Sequence, residues 1–232
     1  MDKQEQQFRE TISELRVAIA AVDVVTFAIV NDSLHVFLIP VHNPPHYPNM
    51  FGLPGGVIQK EESADVAANR HLNEKANLKD CYLEQLYTFS DPKRDKRSRS
   101  ISIAYMALLG PDQQKKQTTS NGVWVPLDKL PTVAYDHADM IEVAIERLQG
   151  RLIYTNIIKN LLPKQFTLPE LQRAYEMILD QSFDKRNFRK KFLSTGLIRD
   201  TGKTRKTSHR PARLYQFLKK ELMIISEVFS AA

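Results

Sequence analysis

Residues 55–78 hold a set of groups that could handle a phosphate-bearing ligand: Gly55 and Gly56, then Glu62, Arg70, Glu74 and Lys75. Glycines let backbone approach a ligand or another strand closely. Residues 63–76 are helical in composition, with Ala64, Ala67, Ala68, Leu72 and Ala76 as a small apolar face, so Arg70 and Glu74 lie one turn apart on one side. Carboxylates clustered on such a face can hold a divalent ion against a diphosphate and orient an attacking water. Lys75 works against that chemistry, because a cation about 4 Å from a divalent ion meets several kcal/mol of repulsion even at an effective dielectric near 20. Its ammonium could instead donate directly to a ligand phosphate, which keeps binding and removes turnover. Farther along, the loop 91–97 carries Arg94 and Arg97, whose planar forks suit a pyrophosphate. Asp136 and His137, just ahead of a helix, could touch a ribose or serve as a helix cap.

A second group of residues suggests different chemistry. The net charge of the 232 residues is +6, but residues 151–232 hold 17 Lys and Arg against 7 Asp and Glu, leaving residues 1–150 at −4. Residues 185–213 contain eleven Lys or Arg and one acid, Asp200. That density is the footprint of a phosphate-backbone binder rather than of a merely solvated face. A helix from about Asp184 to Ser194 is expected to bury Phe188, Phe192 and Leu193 and to show Lys185, Arg186, Arg189 and Lys190 outward, with Asn187 able to read an adenine edge. Short strands at 197–198 and 213–217 would enclose a charged loop holding Lys203, Thr204, Arg205, Lys206, His209 and Arg210. Such a loop has little to bury, so its cations face phosphate or the minor groove of double-stranded DNA. RNA is the weaker reading, since the helix offers cations without exposed stacking aromatics.

The elements that must position these groups follow from periodicity. Residues 3–16 have helical spacing; Ala18–Val30 and Leu34–Pro40 read as strands around an Asn31-Asp32-Ser33 turn, followed by a proline-rich loop at 42–48. Further strands are expected at Tyr82–Phe89, Ser100–Leu108 and Gly122–Val125, and a helix from about Ala138 to Leu148. Strands bracketing two helices give a mixed α/β sandwich over residues 1–150. Residues 151–232 read as mostly helical: an amphipathic helix from Ile153 to Leu162, a second opened by the Thr167–Glu170 capping box, the basic helix, then the strand pair. This is the layout of a winged helix. A terminal helix with Leu218, Leu222, Ile225 and Phe229 could serve a dimer interface or cap its own domain. The single cysteine, Cys81, and the lack of a membrane-length apolar run point to the cytoplasm and away from a membrane.

The spacing Gly56–Glu62–Arg70–Leu72–Glu74–Leu78 resembles the Nudix box, in which Gly, five residues and Glu are followed, seven residues later, by Arg-Glu-apolar-any-Glu-Glu-any-Gly-apolar. His71 and Lys75 stand where that pattern has two more glutamates, and Asn77 where it has a closing glycine. With Tyr135-Asp136-His137, the 166–172 segment and Arg210-Pro211-Ala212, the chain resembles the Nudix-related transcriptional regulators typified by the NrtR repressors of NAD metabolism. The resemblance implies an α+β protein: a Nudix α/β/α sandwich with a mixed sheet at 1–150, then a C-terminal winged helix-turn-helix domain at 151–232. It further implies a homodimer on operator DNA, responding to ADP-ribose or a related nucleotide through Gly55, Gly56, Arg70, Glu74, Lys75, Arg94, Arg97, Asp136 and His137. No catalytic residue, metal or cofactor is expected. Two other functions remain open: a sugar-responsive regulator, for arabinose among others, and an active ADP-ribose pyrophosphatase with an accessory DNA-binding domain.

Overall fold

The computed structural model describes residues 17–115, 121–206, 211–219 and 221–224. The expected helix at 3–16, the terminal-helix positions Ile225 and Phe229, and two of the charged-loop residues, His209 and Arg210, lie outside them.

Strand β1 (Ile19–Val30) turns into β2 (Ser33–Asn43) through Asn31 and Asp32, both at positive φ, with Val30 facing Ser33. Two left-handed central residues make the turn whose twist matches the flanking strands, and Asn and Asp accept that conformation readily. The sheet is completed by β3 (Tyr47–Gly52), β4 (Gly55–Val57), β5 (Tyr82–Phe89), β6 (Ser100–Leu109) and β7 (Val123–Pro126). Its seven strands follow the order β3-β2-β1-β6-β5, with β4 on β1 and β7 on β2. The β1–β6 pair is parallel and the others antiparallel, so the sheet is mixed.

Alternation along β1 and β6 divides the core. Val22, Val24, Ala28, Tyr105 and Ala107 pack under α1 (Ala64–Ala76), while Val25, Phe27, Ala104, Met106 and Leu108 face α3 (His137–Tyr154). A one-turn helix, α2 (Pro111–Gln114), follows β6. Asn77, at the position of the Nudix box's glycine, caps α1 in the left-handed conformation with φ 52°, and its N–H reaches the Asn73 carbonyl at 3.0 Å. That departure therefore keeps the backbone geometry, since Asn tolerates this region.

The second half contains α4 (Leu168–Leu179), α5 (Lys185–Ser194) and the hairpin of β8 (Ile198–Arg205) and β9 (Ala212–Phe217). The capping box is formed: Thr167 Oγ1 accepts from the Glu170 N–H at 3.3 Å and the Glu170 carboxylate accepts from the Thr167 N–H at 2.7 Å. The expected helix from Ile153 to Leu162 is a correction. Helix α3 runs through Gly150 to Tyr154 and stops, and a separate 3-10 turn occupies Ile157–Asn160. The break has a cause in side-chain hydrogen bonds that compete with the helix. Thr155 Oγ1 donates to the Arg151 carbonyl at 2.6 Å and accepts from the Ile157 N–H at 3.2 Å, while Asn156 holds the Glu221 carbonyl and the Met223 N–H. Leu193, expected in the core, is 37% exposed, the buried side of α5 being filled by Phe188 and Phe192 one turn apart. The hairpin also differs from expectation, its first strand extending to Arg205.

One apolar core joins the halves: Met140, Ala144, Leu148 and Leu152 of α3 are continuous with Ile157, Leu171, Tyr175, Phe188 and Phe192.

Candidate effector cavity and nucleic-acid face

Strands β1, β2 and β4, the loop 91–100 and the start of α3 enclose a cavity of about 380 Å³. Gly55 and Gly56 form one wall because nothing larger fits. A Cβ on Gly55 would stand 2.2 Å from Asp23 Oδ1, and one on Gly56 would stand 2.6 Å from His71 Cε1. Of the sequence-predicted ligand residues, Gly55, Gly56, Lys75, Arg94, Arg97 and His137 line this cavity. Arg70 and Glu74 do not. Asp136 lies behind Arg94, in an adjoining surface depression with Tyr87 and Phe89.

The floor is a buried polar network. Arg94, with 5% of its side chain exposed, donates to both oxygens of Asp136 at 2.9 and 2.8 Å, to Ser100 Oγ at 3.0 Å and to Asp23 at 3.5 Å. Ser102 Oγ donates to Asp23 at 2.7 Å. The Leu53 N–H donates to His137 Nδ1 at 2.9 Å, which leaves Nε2 to carry hydrogen toward Asp23, 3.4 Å away. Burial pushes the Asp23 carboxyl up, but His137, Ser102 and Arg94 outweigh it and hold it below the usual range. Asp136 occupies the N-cap position of α3 without a side-chain cap bond, its carboxylate being taken by Arg94.

Above the floor, Arg97 is closed on Asp95, with Nε 3.0 Å from Oδ1 and a terminal nitrogen 2.8 Å from Oδ2, and its guanidinium lies 5.0 Å from the centre of the Tyr135 ring. Tyr135 has φ 57°, unusual for an aromatic residue, and its hydroxyl accepts from Asn43 at 2.7 Å. Both forks that the sequence suggested for a pyrophosphate are thus engaged with the protein's own carboxylates. Sequence reasoning missed Asp23, Asn43 and Ser102, and named Tyr135 only within the Tyr135-Asp136-His137 motif, without a place in the cavity. Asp23 had a signal: an acid inside an apolar strand must find partners when buried.

The residues of the box do not fit a divalent cation. Arg70 grips Glu62 from its Nε at 2.9 Å and through its terminal nitrogen, and reaches Glu74 at 3.2 Å; this pairing lowers the Glu62 carboxyl to about 2. His71 is buried against Gly56, its Nδ1 without a partner, and burial lowers its basicity. Lys75 reaches into the cavity and donates to the Gly55 carbonyl at 2.5 Å. Among the described residues, no three His, Cys, Asp or Glu side chains converge as metal ligands.

At the other end of the molecule, Asp184 caps α5 by accepting from the Asn187 N–H at 2.9 Å. Lys185, Arg186, Asn187, Arg189 and Lys190 are all exposed on that helix, and Lys203, Thr204, Arg205 and Lys206 are exposed on and just after β8. Arg205 is partly engaged, donating to Glu170 at 2.5 Å and to the Gln165 carbonyl at 3.1 Å.

Two family models match in sequence order, the NUDIX domain over residues 20–144 and the NrtR DNA-binding winged helix domain over residues 158–217. The chain belongs to the NrtR family of Nudix-related transcriptional regulators. It is 34% identical, over 84% of its length and 80% of the relative's, to the ADPR-responsive transcriptional repressor NtrR of Acinetobacter baylyi. Among solved structures it is similar to Shewanella oneidensis NrtR complexed with a 27mer DNA: 35% identity, TM-score 0.76, covering 85% of this chain and 93% of that one. The NUDIX domain of the same Shewanella protein, complexed with ADP ribose, matches at 29% identity and TM-score 0.51, covering 64% of this chain and 99% of that one. In NrtR terms, the cavity belongs to the Nudix half and the exposed cations of α5 and β8 to the winged helix.

Proposed function

We propose that this NrtR-family chain is a DNA-binding transcriptional repressor that senses ADP-ribose or a related NAD-derived nucleotide in its Nudix cavity and does not cleave it. The observation that carries the reading is Lys75, an ammonium inside the cavity on the helix where the family's hydrolytic pattern needs a carboxylate. The assigned domains are residues 1–150 for effector binding and 151–232 for DNA. The protein acts as a homodimer, because one small winged helix has limited affinity while a symmetric pair matches a palindromic site.

Coupling runs through α3. Its first turn carries His137 in the cavity floor, and its 18 residues, about 27 Å at 1.5 Å per residue, end in the core of the winged helix. A ligand that shifts the first turn tilts the winged helix and alters the spacing of paired recognition helices.

The test uses the full chain and a duplex it selects from a random pool, with affinity measured by fluorescence anisotropy with and without ADP-ribose. A change of roughly 5- to 150-fold is expected for coupling of ordinary size. Unchanged affinity, together with stabilisation by arabinose or another pentose in a thermal-shift panel, would transfer the chain to the sugar-responsive class. Turnover of ADP-ribose with magnesium or manganese would overturn the non-hydrolytic part.

A further inference from the structure

Among the described residues, three Lys or Arg side chains line the cavity: Lys75, Arg94 and Arg97. They are not equivalent as anion donors. A guanidinium that receives a carboxylate on two of its N–H groups has given up the planar edge best suited to a phosphate. Arg94 is so engaged with Asp136, and Arg97 with Asp95. Lys75 differs. An ammonium has three donors, and the contact it makes is to a neutral group, the Gly55 carbonyl. Lys75 as a residue is solvent-exposed, but its amine is directed to the cavity wall, where the hydrogen bond to the Gly55 carbonyl is partly buried.

The carboxylates near Lys75 make their hydrogen bonds to other groups, although Asp23 and Glu74 still act on its ammonium through space. Glu62 and Glu74 are both held by Arg70, and Asp23 is hydrogen-bonded by Ser102 and faces Arg94 and His137.

We propose that Lys75 takes the place of the divalent cation: it receives the diphosphate of an organic ligand from the Gly55–Gly56 wall, so that the cavity binds its ligand without metal. This rests on the cavity being the effector site. It assigns the diphosphate to Lys75 rather than to the two arginine forks, which serve to fix the floor and the Tyr135 wall. Desolvation lowers the basicity of the Lys75 amine, and an anion beside it offsets that effect by favouring the charged form.

The experiment is calorimetric titration of the full-length protein with ADP-ribose and, separately, with inorganic pyrophosphate, each in EDTA and in magnesium. The two ligands are expected to bind in EDTA, with magnesium tightening neither by as much as tenfold. Lys75→Met is expected to weaken both by roughly 10- to 100-fold, the effect of removing a charged hydrogen-bond donor, while Lys75→Arg retains most of the affinity. The thermal midpoint of each variant is recorded to show that it is folded. Binding that needs magnesium, or Lys75→Met binding as tightly as the natural chain, overturns the proposal, and the magnesium comparison on the natural chain decides even if a variant fails to fold. Pyrophosphate binding in EDTA without ADP-ribose binding leaves the Lys75 seat standing and removes the effector reading. Absence of both in EDTA removes the seat.

Discussion

The two regions that matter most use the same residue types in opposite ways. In the cavity floor, Arg94 is enclosed and matched to Asp136, Asp23 and Ser100. On α5, Arg186 and Arg189 stand in solvent on a helix whose Asp184 is occupied in capping the backbone. A buried cation contributes to stability only through its partners and is destructive to remove, whereas an exposed one contributes almost nothing to folding and is available to an external anion. Charge count alone therefore does not say which cations are available to an external anion; the partners of each charge do.

The comparison predicts its largest effect at Arg94. Arg94→Ala leaves Asp23 and Asp136 without their shared guanidinium and is expected to cost about 3–5 kcal/mol, as for breaking a buried ion pair from one side. Urea unfolding measures it, and a loss under about 1 kcal/mol would break the contrast. The same network sets an acid limb. The Asp23 carboxyl lies below its ordinary value of 3.8 in the folded chain, so its contribution is complete above that value and is lost as pH falls toward the depressed one. Asp23→Asn is expected to flatten that limb while lowering stability at neutral pH.

Next in size is the exposed face, where the effect moves from folding to binding. Arg186→Ala and Arg189→Ala together are expected to leave the urea midpoint within about 0.5 kcal/mol of the parent. Each phosphate contact removed is expected to lower the salt slope of DNA binding by about one, counted once per subunit of a dimer. Anisotropy titrations across a salt series read this directly. An unaltered slope would mean that these cations face solvent in the complex as well.

This contrast also explains what was legible in the sequence. The Asn31-Asp32 turn, the Thr167–Glu170 capping box and the basic helix under the Asp184 cap were readable because each depends on residues within a few positions of one another. The outer frame of the Nudix box was readable for the same reason, with the Glu62–Arg70 contact spanning eight residues. What escaped was long-range. The partner of Arg94 lies 42 residues away and that of Asp23 lies 79 away on β6, so only the fold brings them together. The failed helix at 153–162 has a similar origin: its apolar spacing is helical, but Asn156 is drawn off by backbone groups at 221 and 223. Periodicity records which face is buried and not where a hydrogen bond interrupts the chain.

The smallest effect is expected between the halves, where a charge-based reading would look for a latch. Arg173 of α4 faces Asp32 of the β1–β2 turn with 3.8 Å between nitrogen and oxygen, the two side chains being 53% and 76% exposed. A pair so open to water competes with hydration and is screened by salt. The joint is mostly apolar, with Leu148 and Leu152 of α3 packed into the cluster that holds Leu171 and Ile178, and its less exposed polar ties include Gln149 donating to the Ile178 carbonyl at 2.8 Å and Arg151 donating to Glu84 of β5 at 2.6 Å. Arg173→Ala is accordingly expected to shift the unfolding free energy by no more than about 0.5 kcal/mol, with no added dependence on salt. A loss above about 1 kcal/mol that disappears in high salt would mean that the interdomain pair acts as the buried network does, and exposure would then be a poor guide to which charges hold this fold together.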